Sequence, residues 1–273
     1  MRRSAIGFLF AIVALPAIAG PPALGTTTTT SATAPPLSQR SMIVTSQDFS
    51  NLLADDCEHF HTRNVTSFPA VSRSQEQQEV PLQGIDILKI HNGEQGGVSI
   101  KGWDKPSARL IVCKEAVGFT QQQASRTLGA INIGFRNGEI SATGPSIDES
   151  QAWWVHMILR VPKSSRLDVT SSNGGIAIRN MSGRITARAK NGGISIATTS
   201  GTLEATTENG PISVKLEHET SVEAQIADAG EILCKTCRAE NYSANHKHLR
   251  LGSGAASFKL STTSAPIVID QVR

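Results

Sequence analysis

The sequence lacks an excess of charge of either sign, and beyond its N-terminus it lacks long apolar runs. It contains 26 lysine and arginine residues against 23 aspartate and glutamate residues. These cations are scattered and form no basic stripe, so we predict no nucleic-acid partner. A helix that spans a bilayer needs about 20 apolar residues in succession. No segment after the N-terminus offers them, so we predict no transmembrane segment in the mature chain.

The first 19 residues have the pattern of an export signal. Arg2 and Arg3 give the positive start, residues 5–15 are apolar, and Ala17-Ile18-Ala19 is a small-residue cleavage site. The apolar stretch ends at Pro16 and is too short for an anchor. No cysteine follows the cleavage site, so no lipid anchor is expected. The pattern predicts export to the periplasm, the cell surface or the medium.

Residues 20–40 form a low-complexity segment that is rich in threonine and proline. It contains Pro21-Pro22, an unbroken run of threonines and Pro35-Pro36. Such a segment buries too little apolar surface to offset the entropy lost on ordering. We therefore predict a disordered linker here, with an ordered edge strand as the alternative. An irregular N-terminal segment is predicted over residues 41–80, and a β-strand-repeat domain over residues 81–273.

The cysteines are Cys57, Cys113, Cys234 and Cys237, and export would place them where disulfides form. Of the three possible pairings we favour Cys57–Cys113 with Cys234–Cys237, because the second pair is local. Unpaired thiols, a redox dithiol or half of a zinc site are the alternatives for Cys234 and Cys237. A redox motif would begin a helix beside a βαβ unit, whereas these two cysteines lie inside a β repeat.

One short motif occurs three times at a constant spacing in the second half of the chain. The copies begin at Asn173-Gly174, Asn191-Gly192 and Asn209-Gly210, so successive copies are 18 residues apart. Each copy continues into an Ile-x-Ile or Ile-x-Val pattern, and a Ser-Gly turn lies between successive copies. A regular repeat is typical of stacked architectures. Each unit is therefore expected to contain two turns and two short strands.

Apolar and polar residues alternate in both strands of each unit, as in strands with one buried face. Aligned over the repeat, the apolar residues form three columns: Ile176, Ile194 and Ile212; Ile178, Ile196 and Val214; Ile185 and Leu203. Such columns favour coils stacked about 4.8 Å apart. We predict an all-β fold, a single-stranded β-solenoid or β-helix-like stack of about 18-residue coils, with one short helical insert over residues 121–128. A meander of β-hairpins is the alternative, since Asn-Gly is a common hairpin turn.

The asparagine turns are predicted to be structural. Their third position is Gly175, then Gly193, then Pro211. Proline donates no backbone hydrogen bond, so this position lies off the ladder of the sheet. A left-handed residue, if the turn has one, must be the asparagine or the first glycine. The asparagines could also bond amide to amide along the stack, and a row of ligand-binding amides is the functional alternative.

The repeat continues in a weaker form towards the C-terminus. Residues 229–234 fit as a coil with a small insertion, which places Cys234 in an interior column and Cys237 at the next turn. The segment Ser264–Ile269 resembles the copy at residues 209–214. Terminal coils need atypical sequences that protect the open end, and we predict that this segment closes the stack.

The order of these segments resembles the bacterial putative-adhesin family of exported β-strand-repeat domains of unknown function. Residues 97–104 are similar to the family's opening strand and Gly-Trp-Asp turn. Leu159-Arg160-Val161-Pro162 is similar to the strand that leads into the repeats, and Asn173-Gly174-Gly175 to the repeats themselves. The resemblance covers roughly residues 85–270. It implies a solenoid-like fold at the cell envelope, implies surface attachment only loosely, and supplies no catalytic residues.

β-Solenoids include polysaccharide-acting enzymes, whose sites need paired carboxylates or an activated nucleophile. Here the glutamates of the repeats are dispersed and Asp168 is a lone carboxylate. The pairs His59/His61 and His246/His248 could each place two rings on one face of a strand and bind a metal. No third ligand has a matching position. We therefore predict no catalytic residue, no cofactor, no metal site and no enzymatic activity.

The predicted function is that of a non-enzymatic, exported cell-envelope β-repeat protein with an adhesin-like binding role or a structural role. Its partner is not identified by the sequence; a cell-surface glycan or an envelope protein is expected. The outward residues that would contact it are Thr186, Arg188, Ser195, Thr206 and Ser213. A periplasmic scaffold or a component of envelope-stress signalling is the first alternative. A polysaccharide-acting β-helix enzyme is the second and is less favoured.

Overall fold

The computed structural model of the protein describes residues 55–58, 60, 68–93, 95–197, 199–216, 220–234, 237, 241–252 and 256–271. The signal peptide predicted at residues 1–19 and the linker predicted at residues 20–40 lie outside the described residues. Part of the segment at 41–80 is described, and within it residues 70–80 form a regular strand.

The described residues form eighteen β-strands and one α-helix. In chain order these are β1 (Ala70–Val80), β2 (Ile87–Asn92), β3 (Val98–Trp103), β4 (Ala108–Gly118), α1 (Gln121–Gly129), β5 (Asn132–Arg136), β6 (Glu139–Thr143), β7 (Gln151–Pro162), β8 (Arg166–Ser171), β9 (Ile176–Arg179), β10 (Arg184–Ala189), β11 (Ile194–Ala197), β12 (Thr202–Thr207), β13 (Ile212–Leu216), β14 (Thr220–Ile226), β15 (Ile232–Cys234), β16 (His248–Leu251), β17 (Ala256–Thr262) and β18 (Ile267–Gln271). Sheet A has the order β1-β4-β7-β3-β9-β11-β13-β18-β15, and sheet B the order β16-β14-β17-β12-β10-β8-β2-β6-β5.

Over residues 166–216 the chain alternates between the two sheets. Strands β8, β10 and β12 are neighbours in sheet B, strands β9, β11 and β13 are neighbours in sheet A, and all of these pairs are parallel. Ile185 is the partner of Leu167, and Ile194 is the partner of Ile176. The register therefore advances by the predicted 18 residues. A meander would pair successive strands antiparallel, so that alternative is wrong for this region.

The predicted apolar columns line the buried face of each sheet. Their members are successive strand partners and are almost fully buried: Ile176, Ile194 and Ile212; Ile178, Ile196 and Val214; Ile185 and Leu203. The structure adds Leu167 to the third column as the partner of Ile185. Burying one such side chain is worth roughly 1.5–3 kcal/mol. Stiff β-branched side chains also suit a pleated surface, so the repeat supplies the core that holds the sheets together.

The described residues do not form the closed single-stranded solenoid that the repeat predicts. Strands β1, β4 and β7 of sheet A pair antiparallel, and so do β5 with β6 and β14 with β16 in sheet B. The observed fold is mostly β, with two large sheets in which the parallel repeat is flanked by antiparallel strands. Helix α1 follows β4, and its first turn is capped by Thr120, whose Oγ1 accepts a 3.2 Å hydrogen bond from the backbone N–H of Gln123.

The last strands enter the sheets out of chain order. Strand β17 lies between β12 and β14, and β18 lies between β13 and β15, with parallel pairing throughout. The segment Ser264–Ile269 therefore lies inside the stack, and the prediction that it closes the stack is wrong. Ile267 continues the buried column beside Ile212. The short strand β15, with Leu233 exposed, forms the edge of sheet A, as suits a strand that must not template further pairing.

Candidate functional site

The asparagines of the repeat bond to one another along the stack. The Nδ2 of Asn191 donates to the Oδ1 of Asn173 at 2.8 Å, and the Nδ2 of Asn209 donates to the Oδ1 of Asn191 at 2.9 Å. The amide ladder considered from the sequence is therefore present. Its hydrogen bonds use the side-chain amides that a row of ligand-binding asparagines would have to offer to a ligand. The turns therefore support the fold.

The glycine after each asparagine is required for space. A Cβ added to Gly174, Gly192 or Gly210 would lie 1.6, 2.2 or 2.2 Å from a carbonyl oxygen of the preceding turn. Real Cβ atoms do not approach an oxygen so closely. None of these glycines has a positive φ, and neither do their asparagines. The turn contains no left-handed residue, and its glycines permit the close approach of one coil to the next.

The outer face of sheet B carries two rows of polar side chains, and successive members of each row are strand partners. The charge row consists of Glu139, Lys89, Asp168, Thr186, Glu204, Lys259, Glu223 and Arg250. The hydroxyl row consists of Ser141, His91, Thr170, Arg188, Thr206, Ser261, Gln225 and His248. No member of either row is buried. The face thus presents charges and hydroxyls at a strand spacing of about 4.8 Å.

Ion pairs orient several side chains of this face. Arg188 lies 2.9 Å from Asp168, and Arg250 lies 3.1 Å from Glu223. The hydrogen bond and charge of Arg250 hold the pKa of Glu223 below its usual range. Exposed pairs of this kind contribute little to stability. Their effect is to fix side-chain positions on a surface that a partner can reach.

The outward residues predicted to contact a partner fall on both sheets. Thr186, Arg188 and Thr206 lie on sheet B, whereas Ser195 and Ser213 lie on sheet A. Ser195 is 8% exposed, so it offers no open hydroxyl. The two strands of each unit belong to different sheets, so their outward residues face different sides.

On the outer face of sheet A, three cations lie on adjacent strands. Lys101 of β3 is the strand partner of Arg160 of β7 and of Arg179 of β9. The carboxylate of Asp55 lies over them, 3.1 Å from Lys101, 3.5 Å from Arg160 and 2.7 Å from Arg179. Sequence reasoning missed this cluster. Lys101 follows Val98-Ser99-Ile100 and Arg179 follows Ile176-Ala177-Ile178, and that shared position after two β-branched residues was the available signal.

Asp55 belongs to a segment that is fixed to sheet A at two further points. Cys57 forms a disulfide with Cys113, with their Cα atoms 5.5 Å apart. The ring of Phe60 stacks on that of His156 at a centroid distance of 3.5 Å. Burial lowers the pKa of His156 to about 3, so this histidine is neutral, and its Nε2 lies 3.0 Å from the hydroxyl of Ser99.

The second disulfide joins Cys234 to Cys237, with their Cα atoms 5.4 Å apart. The Tyr242 hydroxyl accepts a 3.0 Å hydrogen bond from the Cys234 backbone N–H, which ties the loop after β15 to that strand. Within the described ranges, no three histidine, cysteine, aspartate or glutamate side chains are grouped so that they could hold a metal ion.

In the part of the chain that the structure covers, the histidines considered as metal ligands are not arranged to share a metal ion. His246 stacks on Tyr242 at 4.7 Å, whereas His248 lies 3.6 Å from Glu223. The two rings therefore contact different groups. The pair His59/His61 lies outside the described residues. Among the residues that the structure does describe, no helix has the length and apolarity needed to cross a bilayer.

Fold and surface together define a β-repeat domain with a polar outer face on sheet B, a cation cluster on sheet A and disulfide-fixed loops. The chain belongs to the Toastrack DUF4097 family, whose model matches residues 78–269. This confirms the resemblance to the putative-adhesin family of β-strand-repeat domains of unknown function. No curated protein matches the chain.

Three solved structures are similar to this chain. A putative cell adhesion protein from Clostridium sporogenes ATCC 15579 has 11% identity and a TM-score of 0.50, over 74% of this chain and all of its own. A putative adhesin from Bacteroides fragilis NCTC 9343 has 10% identity and a TM-score of 0.29, over 73% and 98%. A putative lipid binding protein from Parabacteroides distasonis ATCC 8503 has 14% identity and a TM-score of 0.27, over 73% and 97%. At such identities the first likeness shows the fold alone.

Proposed function

We propose that the chain is a non-enzymatic binding domain, exported to the cell envelope, in which a β-solenoid-like stack presents the outer face of sheet B to an envelope glycan or protein. The observation that carries this proposal is that the charge row and the hydroxyl row are accessible and run side by side across sheet B. Because each row repeats at the strand spacing, many weak contacts could act together on an extended partner.

The chemistry of the face suits recognition better than catalysis. Asp168, the carboxylate of the repeats considered for acid–base work, is paired with Arg188, and the neighbouring position of the charge row is Thr186. Hydroxyls and oriented charges are the groups that bind sugar hydroxyls, backbone amides and charged side chains. Membership of the Toastrack family and the likeness to a protein described as a cell adhesion protein support a binding role. The two disulfides support an oxidising location.

The test is co-sedimentation of the chain lacking residues 1–19 with cell envelopes isolated from the source bacterium. The double variant Arg184→Glu/Arg188→Glu reverses two exposed charges on sheet B, and we expect it to weaken binding at least tenfold. The matched control is Arg126→Glu, on the exposed side of α1, which should bind like the wild type. Equal binding by all three proteins would refute sheet B as the binding face.

A periplasmic scaffold without an external ligand is the competing function. Protease treatment of intact cells separates the two, because a surface protein is digested and a periplasmic one is protected until the outer layer is opened. Protection combined with an absence of envelope binding would favour the scaffold. Release of sugars from envelope polysaccharide by the purified chain would instead support the enzyme alternative.

A further inference from the structure

The three cations on sheet A are placed where they repel one another. Lys101, Arg160 and Arg179 lie on adjacent strands as direct partners, and like charges in such positions destabilise a sheet. Their side chains are 36%, 32% and 25% exposed, so water screens them less than it screens fully exposed charges. A cluster of this kind requires an anion.

Asp55 contacts all three cations, and it does not by itself match them in charge. It contributes one negative charge against three positive charges. The Nε of Arg160 is also buried without a hydrogen-bond partner among the described residues. The charge imbalance shows that the cluster can accept more negative charge than Asp55 supplies. The Nε of Arg160 shows that it also has a hydrogen-bond donor for which Asp55 supplies no acceptor.

The anion comes from outside the sheet on a segment with its own anchors. Asp55 and Asp56 precede Cys57, which is bound to Cys113, and Glu58 follows. Burial by itself raises the pKa of Asp55, but the hydrogen bond from Lys101 and the charges of Arg179, Lys101 and Arg160 outweigh it and hold that pKa below its usual range. The group seated on the cations is thus an ionised carboxylate of an acidic peptide segment.

We propose that Lys101, Arg160 and Arg179 form a binding site for an acidic peptide segment of a partner protein, and that Asp55 occupies this site as a built-in competitor. The occupant seen in the structure defines the ligand class, because it is itself a short acidic stretch of polypeptide. The disulfide keeps the Asp55 carboxylate at a high local concentration beside the cations. An acidic partner must therefore displace Asp55 or bind to the positive charge that Asp55 leaves unneutralised. This site lies on sheet A and does not depend on the function proposed for sheet B.

The test measures binding of fluorescein-labelled octaglutamate to the chain lacking residues 1–19, by fluorescence anisotropy at low salt and neutral pH. Asp55→Asn removes the competing charge and should raise the affinity at least fivefold over the wild type. Cys57→Ser/Cys113→Ser keeps Asp55 but removes its anchor, and should also raise the affinity. Lys101→Gln/Arg179→Gln should lower the affinity at least fivefold, both in the wild type and in the Asp55→Asn protein.

The matched control is Arg126→Gln/Lys190→Gln, which removes two exposed cations that lie outside both proposed binding faces and should leave octaglutamate binding unchanged. Thermal unfolding checks that each variant is folded. A folded Asp55→Asn protein that binds no more tightly than the wild type would overturn the proposal, and so would equal losses in Lys101→Gln/Arg179→Gln and in the control. If Asp55→Asn does not fold, unchanged affinity in Lys101→Gln/Arg179→Gln overturns it instead. Tighter binding of polygalacturonate than of octaglutamate would overturn the ligand class.

Discussion

The side-chain amide of Asn191 donates a 2.8 Å hydrogen bond to the side-chain carbonyl of Asn173, one repeat earlier, and accepts one from Asn209 at 2.9 Å. Replacing Asn191 by alanine removes both bonds, whereas Asn209→Ala removes only the second. At about 1 kcal/mol for each bond, Asn191→Ala should lower the free energy of unfolding by about 2 kcal/mol, and Asn209→Ala by about half as much. Urea denaturation measures both. Equal or absent effects would contradict the ladder.

Gly192 lies where one coil meets the next, and a Cβ there would be 2.2 Å from the carbonyl oxygen of Gly174. The obstacle is backbone, which cannot move without shifting a whole coil. We expect Gly192→Ala to lower the free energy of unfolding by about 3 kcal/mol. Gly129→Ala is the control, because nothing lies within 4 Å of that position, and it should be neutral or stabilising by about 0.5 kcal/mol. A Gly192→Ala protein that melts like the wild type would be inconsistent with the coil spacing.

Ile194 has no exposed surface and lies between Ile176 and Ile212 in the core column of sheet A. Ile194→Ala should lower the free energy of unfolding by about 2–5 kcal/mol, since it leaves a cavity between two flanking coils. Ile194→Asp should not fold, because a buried unpaired charge costs still more. Leu233→Ala, at a residue that is 47% exposed, should change stability by about 0.5 kcal/mol or less. Comparable losses at both positions would contradict the inward placement of the column.

His156 makes stability depend on pH. Burial lowers its pKa to about 3 in the folded protein from its ordinary value of 6.5, so below pH 6.5 the unfolded chain binds a proton that the folded protein does not. The neutral histidine's contribution to the free energy of unfolding is fully present above pH 6.5. It is lost as the pH falls, by roughly 1.4 kcal/mol for each pH unit down to about 3. Asp55, whose pKa is lowered, adds its own loss only below its ordinary value of 3.8.

Urea denaturation between pH 6.5 and pH 5.5 therefore reports on the histidine, because Glu223, whose pKa is also lowered, loses its contribution only as the pH falls towards 4.5 and below. His156→Gln lacks the titrating group, and its free energy of unfolding should fall less steeply with acid over this interval than that of the wild type. The slope is the readout, because the substitution also alters packing against Phe60 at every pH. Identical slopes in the two proteins would show that another group is responsible.

The sequence was sufficient for the repeating region because its constraints are periodic. Columns of apolar residues at one constant interval fit a single parallel register, as Ile176 and Ile194 show. The C-terminal order was not predictable in this way. Ile232 and Ile267 both offer an apolar side chain for the place beside Ile212, and tertiary packing decides that Ile267 takes it. The local sequence pattern does not distinguish between these two strand orders.

The candidate sites were predictable only in part for a related reason. Alternation shows that Thr186 and Ser195 point outward, but it does not show that they lie on different sheets. The cation cluster on sheet A depends on a contact between Asp55 and Arg179, which are 124 residues apart. No periodicity links these two residues. The disulfide Cys57–Cys113 could be anticipated only as the remainder once the local pair Cys234–Cys237 was assigned.

The binding face proposed on sheet B exists only if strands β10 and β12 are parallel neighbours and strands β10 and β11 lie in different sheets. Paired cysteines test this directly. Thr186 and Glu204 are strand partners, about 4.8 Å apart, which is within disulfide range, whereas Arg188 and Ser195 lie on different sheets and would meet only in a hairpin. After mild oxidation, mass spectrometry should find an intramolecular cross-link in Thr186→Cys/Glu204→Cys and none in Arg188→Cys/Ser195→Cys. The reverse result would contradict the parallel stack and the binding face built on it.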